Sequence, residues 1–224
     1  PWLALDVGRV ALGNPAGFGD GPFLAAERLR VGVRLVPLLS RRLEIRRVAI
    51  DGLALTLVRR ADGSDNWSDL TRSDAGAGAD SGAPAVRETS LAGLDLTRAT
   101  ISVANQADRS LTRVRDLELH TGALGTPRPA KIDLAAVVDA GDGTAATRLA
   151  LTAQAGIDMA RSVVTLADLT LDGERLAAPA ARARPTPFAV RSPRVALDWR
   201  TGTLPATSLD VRWGQLPVAL ELSG

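Results

Sequence analysis

Aliphatic residues fall at every second position in short runs along most of this chain. The densest stretch gives Leu29, Val31, Val33 and Leu35, then Leu43 and Ile45, Val48 and Ile50, and Leu53, Leu55 and Leu57. A period of two marks a strand with one dry and one wet face, because successive side chains leave a strand on opposite sides. Turn residues interrupt the runs about every ten residues, the spacing of an all-β chain. Such a pattern places one continuous apolar surface on one side of a sheet.

The first run steps out of phase. Leu3, Leu5 and Val7 alternate, then Val10 and Leu12 resume one residue late, so a bulge or bend is expected at Gly8-Arg9. A turn at Gly13-Asn14-Pro15 with Gly17, Phe18 and Gly19 leads into the next strand, which Pro37 stops, and Pro37 to Ser40 reads as one short helical turn. Asp51-Gly52 is the chemistry of a tight turn between two strands. Residues 1–72 therefore form a first β segment. Residues 73–88, nearly all Ala, Gly, Ser and Asp around Ser73 to Pro84, read as a flexible linker or loop. Residues 89–224 continue in the same manner, with a hairpin expected about Asp139 to Gly143 and later runs at Val195, Leu197 and at Leu209, Val211. A weak motif recurs at Val48 to Leu55, Leu91 to Leu96 and Leu166 to Gly173, as if one strand unit were reused.

Composition sharpens what the apolar surface is for. Aromatic residues make up 3% of the chain, with no Tyr and three Phe, while hydrophobic residues reach 46%. Packed cores lean on large rings for buried area; here Leu, Val and Ala supply it, which favours a wide, smooth aliphatic surface. The charge balance of +2 gives no nucleic-acid signature, and stacking aromatics are not interleaved with the arginines. With no Cys, disulfides and thiolate metal sites are excluded. No run approaches the roughly 20 apolar residues of a membrane-spanning helix. The chain starts at Pro1, inside a strand and without Met, and so reads as a piece of a longer protein.

No constellation for catalysis emerges, so no enzyme and no cofactor are expected. His120 is the only histidine, at a strand end, and reads as a surface residue. Asp62-Gly63-Ser64-Asp65-Asn66 offers oxygen ligands but lacks the distal bidentate Glu of a calcium loop, so it reads as a turn leading to Trp67. The glycines around Phe18 are not followed by the Lys-Ser/Thr of a phosphate loop and form a fixed turn with Phe18 as an apolar plug. Arg41, Arg42, Arg46 and Arg47 are the strongest basic concentration. They form either a solvated face balanced by Glu44 and Asp51 or a rim for lipid phosphates. Adjacent Arg46 and Arg47 must point to opposite faces unless a bulge intervenes.

Several of these segments together resemble the amino-terminal region of the AsmA family of Gram-negative envelope proteins. They are Leu12-Gly13-Asn14-Pro15, Gly17-Phe18-Gly19, Val36-Pro37-Leu38-Leu39, Ile45 to Gly52, and Asn66-Trp67-Ser68-Asp69-Leu70. Leu117 to Gly125 with Pro127 and Pro129, and Leu166 to Gly173, fit more loosely. The resemblance implies a periplasmic β-rich body held to the inner membrane by an anchoring helix upstream of this sequence. It also implies kinship with TamB and the bridge-like lipid transfer proteins, with phospholipid or another acyl lipid as partner and a role in moving lipid between membranes or assembling the outer membrane. It carries over no catalytic residue.

The fold expected is mainly β, a strongly curved antiparallel sheet forming an open groove, with one short helix near 37–40. The residues named in the first paragraph, with Val195, Leu197, Leu209 and Val211, are expected to line it. The same alternation serves a closed sandwich, whose inner faces pack on each other. A non-enzymatic scaffold that binds an envelope protein by strand addition is the other reading.

Overall fold

Alternating short runs have become one sheet. The computed structural model describes residues 2–34, 43–68, 89–124, 128–139, 146–158, 162–176, 185–198, 201, 203, 207–214 and 216–222. The strands are β1 (Trp2–Val7), β2 (Val10–Gly13), β3 (Pro22–Ala26), β4 (Arg28–Arg34), β5 (Leu43–Asp51), β6 (Ala54–Arg59), β7 (Thr89–Leu91) and β8 (Leu94–Asn105). They continue with β9 (Ser110–Thr121), β10 (Ala130–Asp139), β11 (Ala146–Asp158), β12 (Val163–Leu176), β13 (Thr186–Asp198), β14 (Thr207–Trp213) and β15 (Leu216–Leu222). All fifteen join a single open, curved sheet, whose main path runs β1-β4-β5-β8-β9-β10-β11-β12-β13-β14-β15. The short helix expected near 37–40, like Leu35, Arg41, Arg42 and the segment 73–88, lies outside the described residues.

The sheet is antiparallel except at one seam, where β5 and β6 both run parallel to β8 and β5 runs parallel to β7. Parallel neighbours need a crossover of a dozen or more residues, and the chain between Arg59 and Leu94 supplies it. The Asp51-Gly52 turn expected to fold β6 back on β5 does not do so. The two strands follow each other along β8, with Gly52 at φ 64° and its N–H donating to Thr97 O at 3.0 Å. The left-handed residue there makes a step in the strand instead of a hairpin.

That step is repeated. Registers place Val7, Leu29, Ile50 and Leu96 in one cross-strand line, and just beyond it each strand takes three residues where two are usual: Val7 to Val10, Ala26 to Leu29, Ile50 to Leu53, Leu96 to Ala99, Val114 to Leu117. The extra residues include Arg98 at φ 53° and Asp116 at φ 51°. An extra residue bends its strand and strengthens the local twist, so bulges aligned across neighbours crease the sheet. The bend expected at Gly8-Arg9 is the first member of this line. A second line passes Asp168, at φ 52°, where Leu166 steps to Leu169.

The crease is latched on its polar side. Arg98 Nη2 donates to Glu27 Oε2 at 2.7 Å and to Asp51 Oδ2 at 2.6 Å, and Arg98 Nε and Thr97 Oγ1 each reach Asp51 Oδ1 at 2.9 Å. The Arg98 and Thr97 hydrogen bonds hold the Asp51 carboxyl below its ordinary range. A depressed carboxyl stabilises the fold above its unfolded value, about 3.9, and that contribution is lost as pH falls through the lowered folded value. In an NMR titration Asp51 is expected to ionise below the ordinary aspartate range, and to move back toward it in Arg98→Gln. An Asp51 midpoint unmoved by Arg98→Gln would show that the latch does not form in solution.

Among the described residues, the buried cluster on the apolar side joins Ala99, Leu117 and Ala136, with Leu53, Ile101, Val114 and Leu134 against it. The described residues include no large side chain that is fully buried, and substantial contacts between strands are all between ladder neighbours. A domain normally stacks two layers around one core. Here the described residues form one layer.

Near the sheet's first corner, Asn66 is 3% exposed and ties three segments together. Its Oδ1 accepts from Val58 N at 2.9 Å, and its Nδ2 donates to Thr56 O and to Asn14 Oδ1, both at 2.8 Å. This explains why Asn14 and Asn66 stand so far apart in sequence yet act as one fixture. Phe18 is half-buried with the Arg60 guanidinium 5.2 Å from its ring centroid, a cation–π contact.

Candidate functional site: the uncovered aliphatic face

Ladder registers decide which side chains share a face, because partners across a ladder point the same way. One line crosses all eleven strands of the main path: Val7, Leu29, Ile50, Leu96, Leu119, Leu134, Leu151, Leu171, Val190, Val211 and Val218. Every member is Val, Leu or Ile. From Val7 to Val211 each is half-buried. The neighbouring line on the other face reads Asp6, Arg30, Ala49, Asp95, His120, Asp133, Thr152, Thr170, Arg191, Asp210 and Ala219. One side of the sheet is thus hydrocarbon and the other is charged.

Across the crease the apolar face continues through Leu12, Leu24, Leu55, Ile101, Val114 and Val138. Leu3 and Leu5 extend it along β1, 55% and 56% exposed. At about 4.8 Å per strand, eleven strands carry the main line over roughly 48 Å, longer than the ~30 Å hydrocarbon thickness of a bilayer.

Ladder registers relate the residues expected from sequence to line a groove to this face as follows. Leu29, Val31, Val33, Ile45, Val48 and Ile50 are joined by the β1–β4–β5–β8 registers, with Leu43 at the start of β5 opposite Thr89. Leu55 and Leu57 pair with Ile101 and Val103, and Leu53 packs against the crease cluster. Val195 and Leu197 pair with Leu166 and Val164, while Leu209 and Val211 pair with Leu220 and Val218. Sequence reasoning did not place Leu96, Leu119, Leu134, Leu151, Leu171 and Val190 in this set. Their signal was blurred because alanine, small enough for either face, fills both sides of β10 and β11: Ala136 and Ala153 lie with the leucines, Ala135 and Ala150 opposite.

Several charges of the polar face are paired within it. Arg47 contacts Asp95 through Nε and donates to its Oδ1 from Nη2 at 3.0 Å, and His120 Nδ1 lies 2.9 Å from the same oxygen. His120 is thus an exposed hydrogen-bonding partner of Asp95 beside Arg47. Arg46 is the surplus residue opposite Gly32–Val33, where the register shifts, so a bulge lets both arginines stay exposed. Of the expected basic rim, Arg47 is therefore already engaged by a carboxylate.

The Asp62–Asn66 oxygens are used by the turn itself. Asp62 Oδ1 accepts from Ser64 N and Oγ, and Asp65 accepts from the N–H groups of Trp67 and Ser68 and from the Ser68 hydroxyl. These bonds, from Ser64 and Ser68 first, hold both carboxyls below their ordinary values. Among the described residues no group of three or more acidic or histidine side chains is placed to hold a metal.

A single curved sheet with a hydrocarbon face, a charged back and no second layer among the described residues defines a β-groove protein. The chain belongs to the AsmA family, whose family model matches residues 1–184. No curated protein and no solved structure matches it. The family is associated with the bacterial envelope, fits a role related to lipid transport there, and is not known as a family of enzymes. No helix among the described residues is long and apolar enough to cross a membrane.

Proposed function

We propose that this chain is the periplasmic, inner-membrane-anchored portion of an envelope protein that shields phospholipid acyl chains on its aliphatic face, supporting lipid movement between membranes and outer-membrane assembly. The observation that carries the reading is the unbroken Val/Leu/Ile line across eleven strands with no described layer above it. Lifting a chain of about fifteen carbons out of a bilayer exposes it at a cost on the order of 12 kcal/mol in water, at ~0.8 kcal/mol per CH₂. A carrier lowers that cost by offering replacement hydrocarbon, and the face offers little else. With no hydrogen-bonding group in the line, chains of different length or unsaturation are discriminated weakly. Headgroups stay at the rim in water. A face longer than a single acyl chain accommodates several lipids in file and lets them slide without crossing a polar step.

Native mass spectrometry of the chain extracted in mild detergent is expected to show bound phospholipid. Protein that emerges free of lipid and detergent under those conditions would contradict the proposal.

A further inference from the structure

The aliphatic face has two rims, and they differ. At one, apolar residues run out to the strand ends: Ile157, Val164 and Leu197 form a cross-strand line over β11, β12 and β13. At the other, the same three strands carry Thr147, Arg175 and Thr186 in one line. Residues two apart leave a strand on the same side. Arg175 therefore follows Leu171 and Gly173 on the aliphatic face, while Glu174 between them stands on the polar one.

Charge on this face is rare and of one sign. Among the described residues that the registers place on it, away from the bulges, the charged ones are Arg59 and Arg175. They lie at the ends of β6 and β12, strands that run the same way, and so at the same rim. Arg59 has the Asp65 carboxylate within electrostatic reach. Arg175 is exposed, with no hydrogen-bond or ion-pair partner among the described residues. The acids beside it in sequence are engaged on the other face: Glu174 by Arg148 at 3.4 Å and Asp172 by Arg191 at 2.7 Å.

One step inward the face changes character. Gly173 pairs with Phe188, and a Cβ at Gly173 would fall 2.1 Å from Phe188 Cζ. Gly173 is not among the left-handed glycines, so what it provides is space: the ring leans across β12 into the place a side chain would fill. From the rim inward the order is cation with hydroxyls, then ring, then Leu171 and Val190. A bilayer has the same order, with phosphates outermost, aromatic side chains at the boundary and hydrocarbon within.

We infer that Arg175, flanked by the Thr147 and Thr186 hydroxyls, takes the phosphate of a lipid whose chains lie on the aliphatic face. Lipids are then held with their headgroups at this rim and not at the other. The inference rests on the groove reading and adds to it an orientation and a preference for phosphate esters. A guanidinium meets phosphate oxygens through two parallel N–H bonds, and a hydroxyl on each side can donate to the same anion. A phosphate at the opposite rim would meet Ile157, Val164 and Leu197, whose side chains donate nothing.

Binding of two probes with identical fluorescent chains, phosphatidylglycerol and diacylglycerol, to the 224-residue chain tests it. The unaltered chain is expected to prefer phosphatidylglycerol about tenfold. In Arg175→Gln that preference is expected to vanish while diacylglycerol binding stays the same. Arg175→Lys, which keeps the charge and loses the fork, is expected to retain part of it. Arg148→Gln removes the same charge from the polar face of the neighbouring strand and is expected to leave the preference intact. An equal loss in Arg148→Gln would reduce the effect to net charge and overturn the inference. A preference that survives Arg175→Gln while both probes bind would also overturn it, and would leave the groove standing. Binding of neither probe would remove the groove reading, and this inference with it. Displacement of the phosphatidylglycerol probe by glycerol 3-phosphate would assign Arg175 to a soluble phosphate ester and overturn the lipid assignment.

Discussion

Leu151→Asp is expected to lower lipid binding by about a hundredfold or more while costing the sheet on the order of 1 kcal/mol in stability. Leu151 sits mid-line between Leu134 and Leu171 and outside the crease cluster. On an uncovered face the carboxylate keeps contact with water when no lipid is present, so folding is hardly penalised. With an acyl chain across it the charge must be desolvated without a partner, and that penalty falls on binding alone. Were a second layer of protein pressed on this face, the same change would cost several kcal/mol and unfold the chain. Urea unfolding and native mass spectrometry on one preparation separate the two. A collapse in stability would mean a sealed core, and retained lipid would mean the face is not where lipid lies.

Gly52→Val is expected to destabilise the fold strongly, by about 2–4 kcal/mol. A β-branched residue at φ 64° is a steric outlier. A Cβ there also falls 2.6 Å from Glu27 Cγ and 2.7 Å from its Cδ. Glu27 must then swing away from Arg98 and open the latch on the polar side of the crease. Adding Glu27→Ala removes the clash and leaves only the backbone strain, so the double variant is expected to recover part of the loss. Gly13→Val, with nothing within 4 Å and no left-handed backbone, serves as the control and should cost little. Equal urea midpoints for Gly52→Val and Gly13→Val would mean that the crease is not a fixed feature.

Most of the strand content was legible because a period of two is a local signal, and Leu29 to Leu35 or Leu53 to Leu57 declare it within a few residues. The Val7-to-Val10 slip was legible for the same reason, and it marked a bulge that recurs in the neighbouring strands. The weak recurring motif at Leu166 to Gly173 contains such a step, with Asp168 as the extra residue. What stayed hidden was non-local. Nothing in Asp51-Gly52 distinguishes a turn that reverses the chain from a left-handed residue that only kinks it, because both need positive φ. The choice was made by β8, some forty residues downstream, which pairs with β5 and β6 in turn.

The question left open between a closed sandwich and an open groove depended on what lies above the apolar face, and alternation carries no information about that. Arg46-Arg47 posed a local dilemma with two solutions, and the bulge opposite Gly32 chose the one that keeps charge out of the hydrocarbon line. Alanine hid part of the face by fitting either side, so Leu134 and Leu151 emerged only once registers aligned them with Leu119 and Leu171.

Photocrosslinking in the living envelope, with a photoreactive residue placed once at Leu151 and once at its neighbour Thr152, addresses the open face most directly. The two positions are adjacent in sequence and point to opposite sides of the sheet. Phospholipid adducts at position 151 and none at 152 are the expected result. Protein adducts alone at 151, or lipid adducts equally at both, would contradict an aliphatic face left free for acyl chains.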